Sequence, residues 1–351
     1  MRPSVRACYQ HPGYTYATRA EEIARQHGFT RVARLASNEN PFPLSAKGVE
    51  LAGKALAEAH RYPPEQHASL LAALQHQFGY EHIVVGNGMD GVIETVVRAL
   101  INPRDRVVIA QPTFSFYRVA AAGQAAHVIP FQRRDDFSLD AQGFIEACWG
   151  AQLAFLCTPN NPTANTTPIS EVKTILEETD CILFLDNAYI EFADSEYQHL
   201  ISEYDRLIIG RTMSKAYSMA GLRLGYAFIP PWFEAAYHNA ATPFAVNRVT
   251  AAAAEGALTD HQHVQTIVNH VRTWRTRFLA SIKFNTFLSQ ANFVLVDVAP
   301  YTGDQAMEHL ASRGVLVRSC TSFPGLGDHY IRVSIGADWE NELFLQEINA
   351  L

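Results

Sequence analysis

Residues 210–225 read Gly-Arg-Thr-Met-Ser-Lys-Ala-Tyr-Ser-Met-Ala-Gly-Leu-Arg-Leu-Gly, with Lys215 at their centre. An ammonium on a flexible stem is either a solvated surface charge or, once partly desolvated, a nucleophilic amine. The chain has five lysines, Lys47, Lys54, Lys173, Lys215 and Lys283. All but Lys215 fall in stretches that read as solvated helix faces or loops. Lys215 lies between two apolar runs, residues 207–209 and 226–229, that read as buried strands. Thr212, Ser214 and Arg223 stand on either side of it. Two hydroxyls and a guanidinium suit a phosphate monoester held beside the amine. A lysine able to form a Schiff base next to a phosphate cradle points to pyridoxal phosphate.

A second phosphate-binding candidate lies upstream. Residues 82–85 read as a strand that runs into Gly86-Asn87-Gly88-Met89-Asp90-Gly91, a match to G-x-G-x-x-G, and then into a helix with Val92, Ile93, Val96, Val97 and Leu100 on its apolar face. That context makes an NAD-dependent dehydrogenase the rival from a different class. Such a fold needs an acid about 20 residues further on, at the end of the next strand, for the ribose hydroxyls. The next strand, residues 107–110, ends in Gln111-Pro112, and the acid is missing. The loop keeps a more general property: free N–H groups of Met89, Asp90 and Gly91 at a helix N-terminus attract a phosphate whatever molecule carries it.

The elements that would position these groups alternate along the chain. A short helix is expected over 20–28, a strand over 32–36, and amphipathic helices over 44–60 and around Leu70, Leu71, Leu74 and Phe78. Strands over 126–131, 153–156 and 181–185 are separated by helices over 141–147 and 170–178. This argues for a mainly parallel sheet covered on both faces. Ligands bind outside the carboxyl ends of such strands. Polar residues cluster at those ends: Gln111 to Phe114, Thr158 to Thr163 and Asp186 to Tyr189. A turn explains Asn160-Asn161-Pro162 taken alone, and a helix cap explains Asp186. One shared ligand explains all the ends together. Beyond 250 come one or two long helices to 282, strands over 292–298, 315–317 and 330–335, and helices over 304–313 and 339–348, the last with Asp338 as its expected cap.

Composition bounds the class. With 351 residues and 48% hydrophobic content, the chain can fill the cores of two domains. A formal charge of −7 offers no general basic field, so nucleic acid is not expected as a partner. Its five cysteines are odd in number and scattered, without metal-ligand spacing, so neither a disulfide framework nor a metal site is expected. No apolar run approaches the ~18 residues of a membrane span, and the first residues lack the apolar core of a signal peptide. A soluble, untargeted protein of the reducing cytoplasm is expected.

The chain resembles the fold-type I pyridoxal-phosphate aminotransferases, and among them the histidinol-phosphate aminotransferase family. The resemblance is carried by Leu35-Ala36-Ser37-Asn38-Glu39-Asn40-Pro41, Arg61-Tyr62-Pro63, Gly86-Asn87-Gly88-Met89-Asp90, Asn160-Asn161-Pro162-Thr163, Asp186-Asn187-Ala188-Tyr189, Thr212-Met213-Ser214-Lys215-Ala216 with Gly221-Leu222-Arg223, and Tyr330-Ile331-Arg332-Val333-Ser334. These span nearly the whole chain in the family's order. Two positions depart from its pattern. Ala164 stands where the family usually has glycine, and Asn187 where it has glutamate, which bears on loop geometry.

The resemblance implies a large pyridoxal-phosphate domain over 41–258, with a mainly parallel seven-stranded sheet sandwiched by helices. It also implies a smaller α/β domain formed by 259–351 together with an N-terminal arm, 1–40. Lys215 would bind the cofactor and act as general base, with Asp186 at the pyridine nitrogen and Tyr189 and Asn161 at the ring oxygen. Phe114 would stack on the ring. Gly88, Met89, Asp90, Gly91, Thr212, Ser214 and Arg223 would hold the phosphate, joined by Tyr62 from the neighbouring subunit of a homodimer. Arg332, Arg318, Tyr9 and Asn161 would meet the substrate, an amino acid or amino phosphate in one half-reaction and a 2-oxo acid in the other. The implied reaction is transamination between L-histidinol phosphate and 2-oxoglutarate. On the same cofactor site a threonine-phosphate decarboxylase or an aromatic amino acid aminotransferase are alternatives. A non-catalytic pyridoxal-binding regulator would need an added DNA-binding module, for which this length leaves no room.

Overall fold

The computed structural model describes residues 5–9, 18–64 and 67–351. In chain order its strands are β1 (Ala33–Arg34), β2 (Ile83–Asn87), β3 (Arg106–Gln111), β4 (His127–Gln132), β5 (Leu153–Cys157), β6 (Ile182–Asp186), β7 (Leu207–Thr212) and β8 (Leu224–Phe228). Then come β9 (Asn285–Thr286), β10 (Phe293–Asp297), β11 (Val315–Leu316), β12 (Arg318–Ser319) and β13 (Tyr330–Ser334). Helices α1 (Thr18–Gln26), α2 (Ala46–Leu56), α3 (Ala68–Phe78), α4 (Gly88–Leu100), α5 (Phe116–Gly123), α6 (Ala141–Cys148) and α7 (Ile169–Glu178) are interleaved with the earlier strands. They are followed by α8 (Glu234–Ala240), α9 (Arg248–Leu258), α10 (His261–Ser281), α11 (Gly303–Ala311) and α12 (Asp338–Ala350).

The largest sheet has seven strands in the order β2-β8-β7-β6-β5-β3-β4. The run from β7 to β4 is parallel, and β8 runs antiparallel to both β7 and β2. Side chains alternate across the pleat, so each strand feeds two cores. Val107, Ile109, Leu153, Phe155, Ile182 and Phe184 pack on one face with Val92, Ile93, Val96 and Val97 of α4, Tyr117 of α5 and Tyr237 of α8. Val108, Ala110, Ala154, Leu156, Leu183 and Leu185 point the other way, toward Phe144 and Ile145 of α6 and Val172, Ile175 and Leu176 of α7. The expected α/β sandwich is therefore present, with seven strands. β2 pairs with β8 at the sheet's edge and not with β3. A dinucleotide fold sets its first two strands side by side in parallel, so the dehydrogenase reading of residues 86–91 is overturned by topology.

A second, antiparallel sheet runs β12-β13-β10-β9, and β1 pairs in parallel with β11. The early strand β1 is thereby tied to the C-terminal third of the chain. α11 and α12 pack against these strands, and α1 packs on α11. The segment over 250–282 divides into α9 and α10, with Asp260 accepting from the His263 N–H to cap the second. Asp338 is not the cap of α12. Ala337 holds that position, and its N–H donates to Glu340 Oε2 at 2.8 Å. α5 and α8 have no counterpart in the sequence reading. Residues 10–17, part of the expected N-terminal arm, lie outside the described residues. Among the described residues no helix is long and apolar enough to cross a membrane.

Candidate active site

The carboxyl ends of β2, β3, β5, β6 and β7 all open toward one cavity of about 580 Å³. β8 runs the opposite way, so its start, and Arg223 just before it, comes to the same end of the sheet. Met89, Asp90, Phe114, Asn161, Asp186, Tyr189, Thr212, Ser214, Lys215, Arg223, Arg318 and Arg332 line the cavity. Gly88 and Gly91 lie in the first turn of α4, beside this lining. Tyr62 and Tyr9 are not among the lining residues. Tyr62 is 77% exposed and stacks on Phe244 at 4.7 Å, while the Arg6 guanidinium lies 5.6 Å from the Tyr9 ring.

Two loops build the candidate anion cradle. Gly88 has φ +69°, which glycine adopts without strain, and a Cβ there would meet Arg223 Nη2 at 2.5 Å, so a side chain at this position would displace that guanidinium. Its N–H donates to the Arg223 carbonyl at 2.9 Å. Arg223 has φ +59°, and its Nη2 donates to Asp90 at 2.7 Å. Thr212 Oγ1 lies 3.0 Å from Ser214 Oγ and accepts from the Ser214 N–H at 3.2 Å. The first amides of α4 have no partner within the helix, and the helix dipole makes that end positive. Hydroxyls, a guanidinium and a helix N-terminus together form a set that fits a phosphate monoester.

Lys215 follows this cradle and is half-buried. Its Nζ lies 3.5 Å from the Ser37 carbonyl and 5.9 Å from the centre of the Tyr189 ring. Burial, with Arg332 as the next cause, pushes its amine down to about 8 from the ordinary lysine value. A larger share is thus neutral, and nucleophilic, at neutral pH. Asp186 ends β6 and is 3% exposed. It accepts from Tyr117 Oη at 2.5 Å and from the Ala188 N–H at 2.9 Å, and burial raises it to about 6. The Tyr189 hydroxyl accepts from Asn38 Nδ2 at 3.1 Å, which leaves its own proton to be given elsewhere.

The other cations come from the second sheet. Arg332 on β13 is buried and donates to Asn161 Oδ1 at 2.5 Å and to the Ala36 carbonyl at 2.7 Å. Its Nε is buried without a hydrogen-bond partner, as a guanidinium that still requires an acceptor would be. Arg318 on β12 donates to Ser322 at 3.0 Å. An amine of lowered pKa, a buried carboxylate, an anion cradle and two further guanidiniums fit pyridoxal phosphate and an anionic substrate better than any metal-centred chemistry.

Sequence reasoning assigned no role to Asn38, Asn40 or Tyr117. Asn38, at φ +52°, is 2% exposed and is held by Ser334 and Asn292. Asn40 donates to the Lys215 carbonyl at 3.0 Å. The asparagine-rich run 37–41 was the available signal for both. Ala164, where glycine was the expected residue, has φ +63° and is fully buried. Asn187 donates from Nδ2 to the Thr158 carbonyl at 2.7 Å, joining two of the loops.

The family described as aminotransferase class I and II matches residues 30–348. The histidinol-phosphate aminotransferase of Methanoculleus marisnigri is 56% identical, with all of both chains covered. That of Methanosphaerula palustris is 52% identical, again over both full lengths. The crystal structure of histidinol-phosphate aminotransferase from Sinorhizobium meliloti in complex with pyridoxal-5'-phosphate superposes with a TM-score of 0.89 at 25% identity, covering 100% of this chain and 98% of that one.

Proposed function

Because the chain belongs to the class I and II aminotransferases, and within them to the histidinol-phosphate aminotransferase family, we propose that it transfers an amino group between L-histidinol phosphate and 2-oxoglutarate. The products would be imidazole-acetol phosphate and glutamate, a step of histidine biosynthesis. One observation carries this reading: Lys215, Asp186, the Arg223 cradle and two guanidiniums from a different sheet converge on a single cavity.

Pyridoxal 5'-phosphate, when bound, supplies an electron sink for negative charge developing on the substrate carbon. Arg223, Ser214 and Thr212, with the α4 turn from Gly88 through Met89 and Asp90 to Gly91, would hold its phosphate. Lys215 would hold it covalently, and its freed Nζ would be the general base that moves a proton between the substrate Cα and the cofactor C4′. Asp186 would accept from the ring nitrogen, and Phe114 would cover the ring face. Tyr189 and Asn161 would donate to the ring oxygen. Asn161 spends Oδ1 on Arg332, which leaves Nδ2 for that bond. Arg332 and Arg318 would bind the substrate's anions, a phosphate or the carboxylates of glutamate, with the fork geometry that guanidinium favours. Tyr9 would cover the substrate from the N-terminal arm.

Two further parts of the reading concern assembly. The exposed Tyr62 would reach the phosphate of a neighbouring subunit in a homodimer in the cytoplasm. Residues 41–258 would form the large domain, and 1–40 with 259–351 the arm and the smaller one. The seven-stranded sheet, within 83–228, and the four-stranded sheet, within 285–334, support that division.

Borohydride reduction of the cofactor-loaded protein, followed by peptide mass mapping, should mark Lys215. Incubation with histidinol phosphate and 2-oxoglutarate should release glutamate. Carbon dioxide from threonine phosphate, without glutamate formation, would overturn the reading.

A further inference from the structure

Asp186 is a costly group to keep charged where it stands. Burial favours its neutral acid, and a neutral acid does not hold a proton on a partner nitrogen. Asp90 of α4 pushes in the same direction, whereas Lys215 pulls the other way; Cys157 of β5 and Tyr189 also face the carboxylate, whose charge raises their own pKa values. Its two hydrogen-bond donors are the Ala188 N–H and the Tyr117 hydroxyl. The tyrosine is fixed. Its ring is fully buried, stacks on Phe155 at 4.7 Å with 9° between planes, and meets Phe114 edge-on at 5.6 Å. Burial and the neighbouring carboxylate hold its own pKa far above the ordinary phenol range, so it remains a donor throughout the working pH range.

We propose that Tyr117 is a positioning residue: locked by Phe155 and Phe114, its hydroxyl holds the Asp186 carboxylate ionised and aimed into the cavity. The same ring braces Phe114, so one side chain of α5 supports both the carboxylate and the aromatic face of the site. The inference rests on the cofactor reading given above. A donor to the charged form lowers an acid's pKa, and its removal raises it. Losing one charge-assisted hydrogen bond shifts a carboxylate by about one to two pH units.

The test is Tyr117→Phe, which keeps the ring and removes only the hydroxyl. Affinity of the apoprotein for pyridoxal phosphate is titrated against pH, alongside the melting temperature, in the parent and in Asp186→Asn. The pH at which affinity is half lost should rise by about one unit or more in Tyr117→Phe, with affinity at pH 6.5 reduced roughly five- to tenfold. In the Asp186→Asn background the same substitution should change neither quantity, because no carboxylate is left to act through. An unmoved midpoint in a variant that melts normally overturns the proposal, and so does an equal loss of affinity in both backgrounds. If the parent apoprotein fails to bind pyridoxal phosphate at Lys215, the cofactor reading itself has failed, which is a separate result.

Discussion

Asp186 and Lys215 follow from neighbouring strands of one buried sheet, with their backbones fixed by the β6 to β7 ladder. Arg332 and Arg318 instead come from a second sheet of short strands, and meet the first through side chains such as Asn161 and through the carbonyl of Ala36. The first wall is set by covalently close, hydrogen-bonded backbone; the second depends on how two sheets and an N-terminal segment dock. A site whose chemistry must be held rigidly belongs on the first kind of wall. Groups that choose among substrates can sit on the second, where small shifts in docking change what fits without disturbing the reacting centre.

The difference can be broken or sharpened by substitution. The largest effect should come from Lys215→Ala: turnover falls by about 10³-fold or more, and the visible absorbance of the bound cofactor disappears. If turnover survives, the rigid wall does not hold the chemistry. Next comes the pH dependence of that amine. Its pKa is depressed to about 8, so the neutral form grows as pH rises through 8 rather than through the usual lysine range. The rate at which the apoprotein captures an aldehyde should therefore level off above about pH 8. At pH 7 it should exceed that of an ordinary lysine by on the order of 10²-fold. A plateau reached only above pH 10 would deny the desolvated environment.

On the docking wall the two arginines should separate. Arg332→Gln removes a buried guanidinium and should raise KM by roughly 10²-fold while kcat changes far less. Arg318→Gln, at a half-buried position, should raise KM about tenfold or less. Equal effects would mean that burial does not rank them. The smallest effect is expected at Ala164, where φ is +63°. Ala164→Gly relieves about 1 kcal/mol of backbone strain and loses about 0.8 kcal/mol of buried methyl, so denaturant unfolding should change by less than about 0.5 kcal/mol.

Much of this architecture was legible in the sequence. The continuous apolar runs leading toward Asp186 and Thr212, buried on both faces, and the 3.6-residue face of α4 are strong local signals, and the polar residues stood at the strand ends where an α/β fold uses them. α5 was not legible. It is an eight-residue helix, and Ser115 at its start makes no side-chain capping bond, so nothing local announces it. Tyr117 went unnoticed with it. Asp338 failed as a cap because Glu340 reaches back to the Ala337 N–H and does the work from inside the helix.

Local pattern determined which segments are strands, though not their ends, since the runs expected over 32–36 and 207–209 form β1 at 33–34 and β7 at 207–212; burial and hydrogen-bonding preference are properties of a few consecutive residues. Only the tertiary structure decided that β2 lies beside β8, which removed the dinucleotide reading, and that Tyr117 meets Asp186 across 69 positions and Arg332 meets Asn161 across 171. Contacts of that range arise from the simultaneous packing of whole layers, and no short window of sequence contains the free energy that selects them.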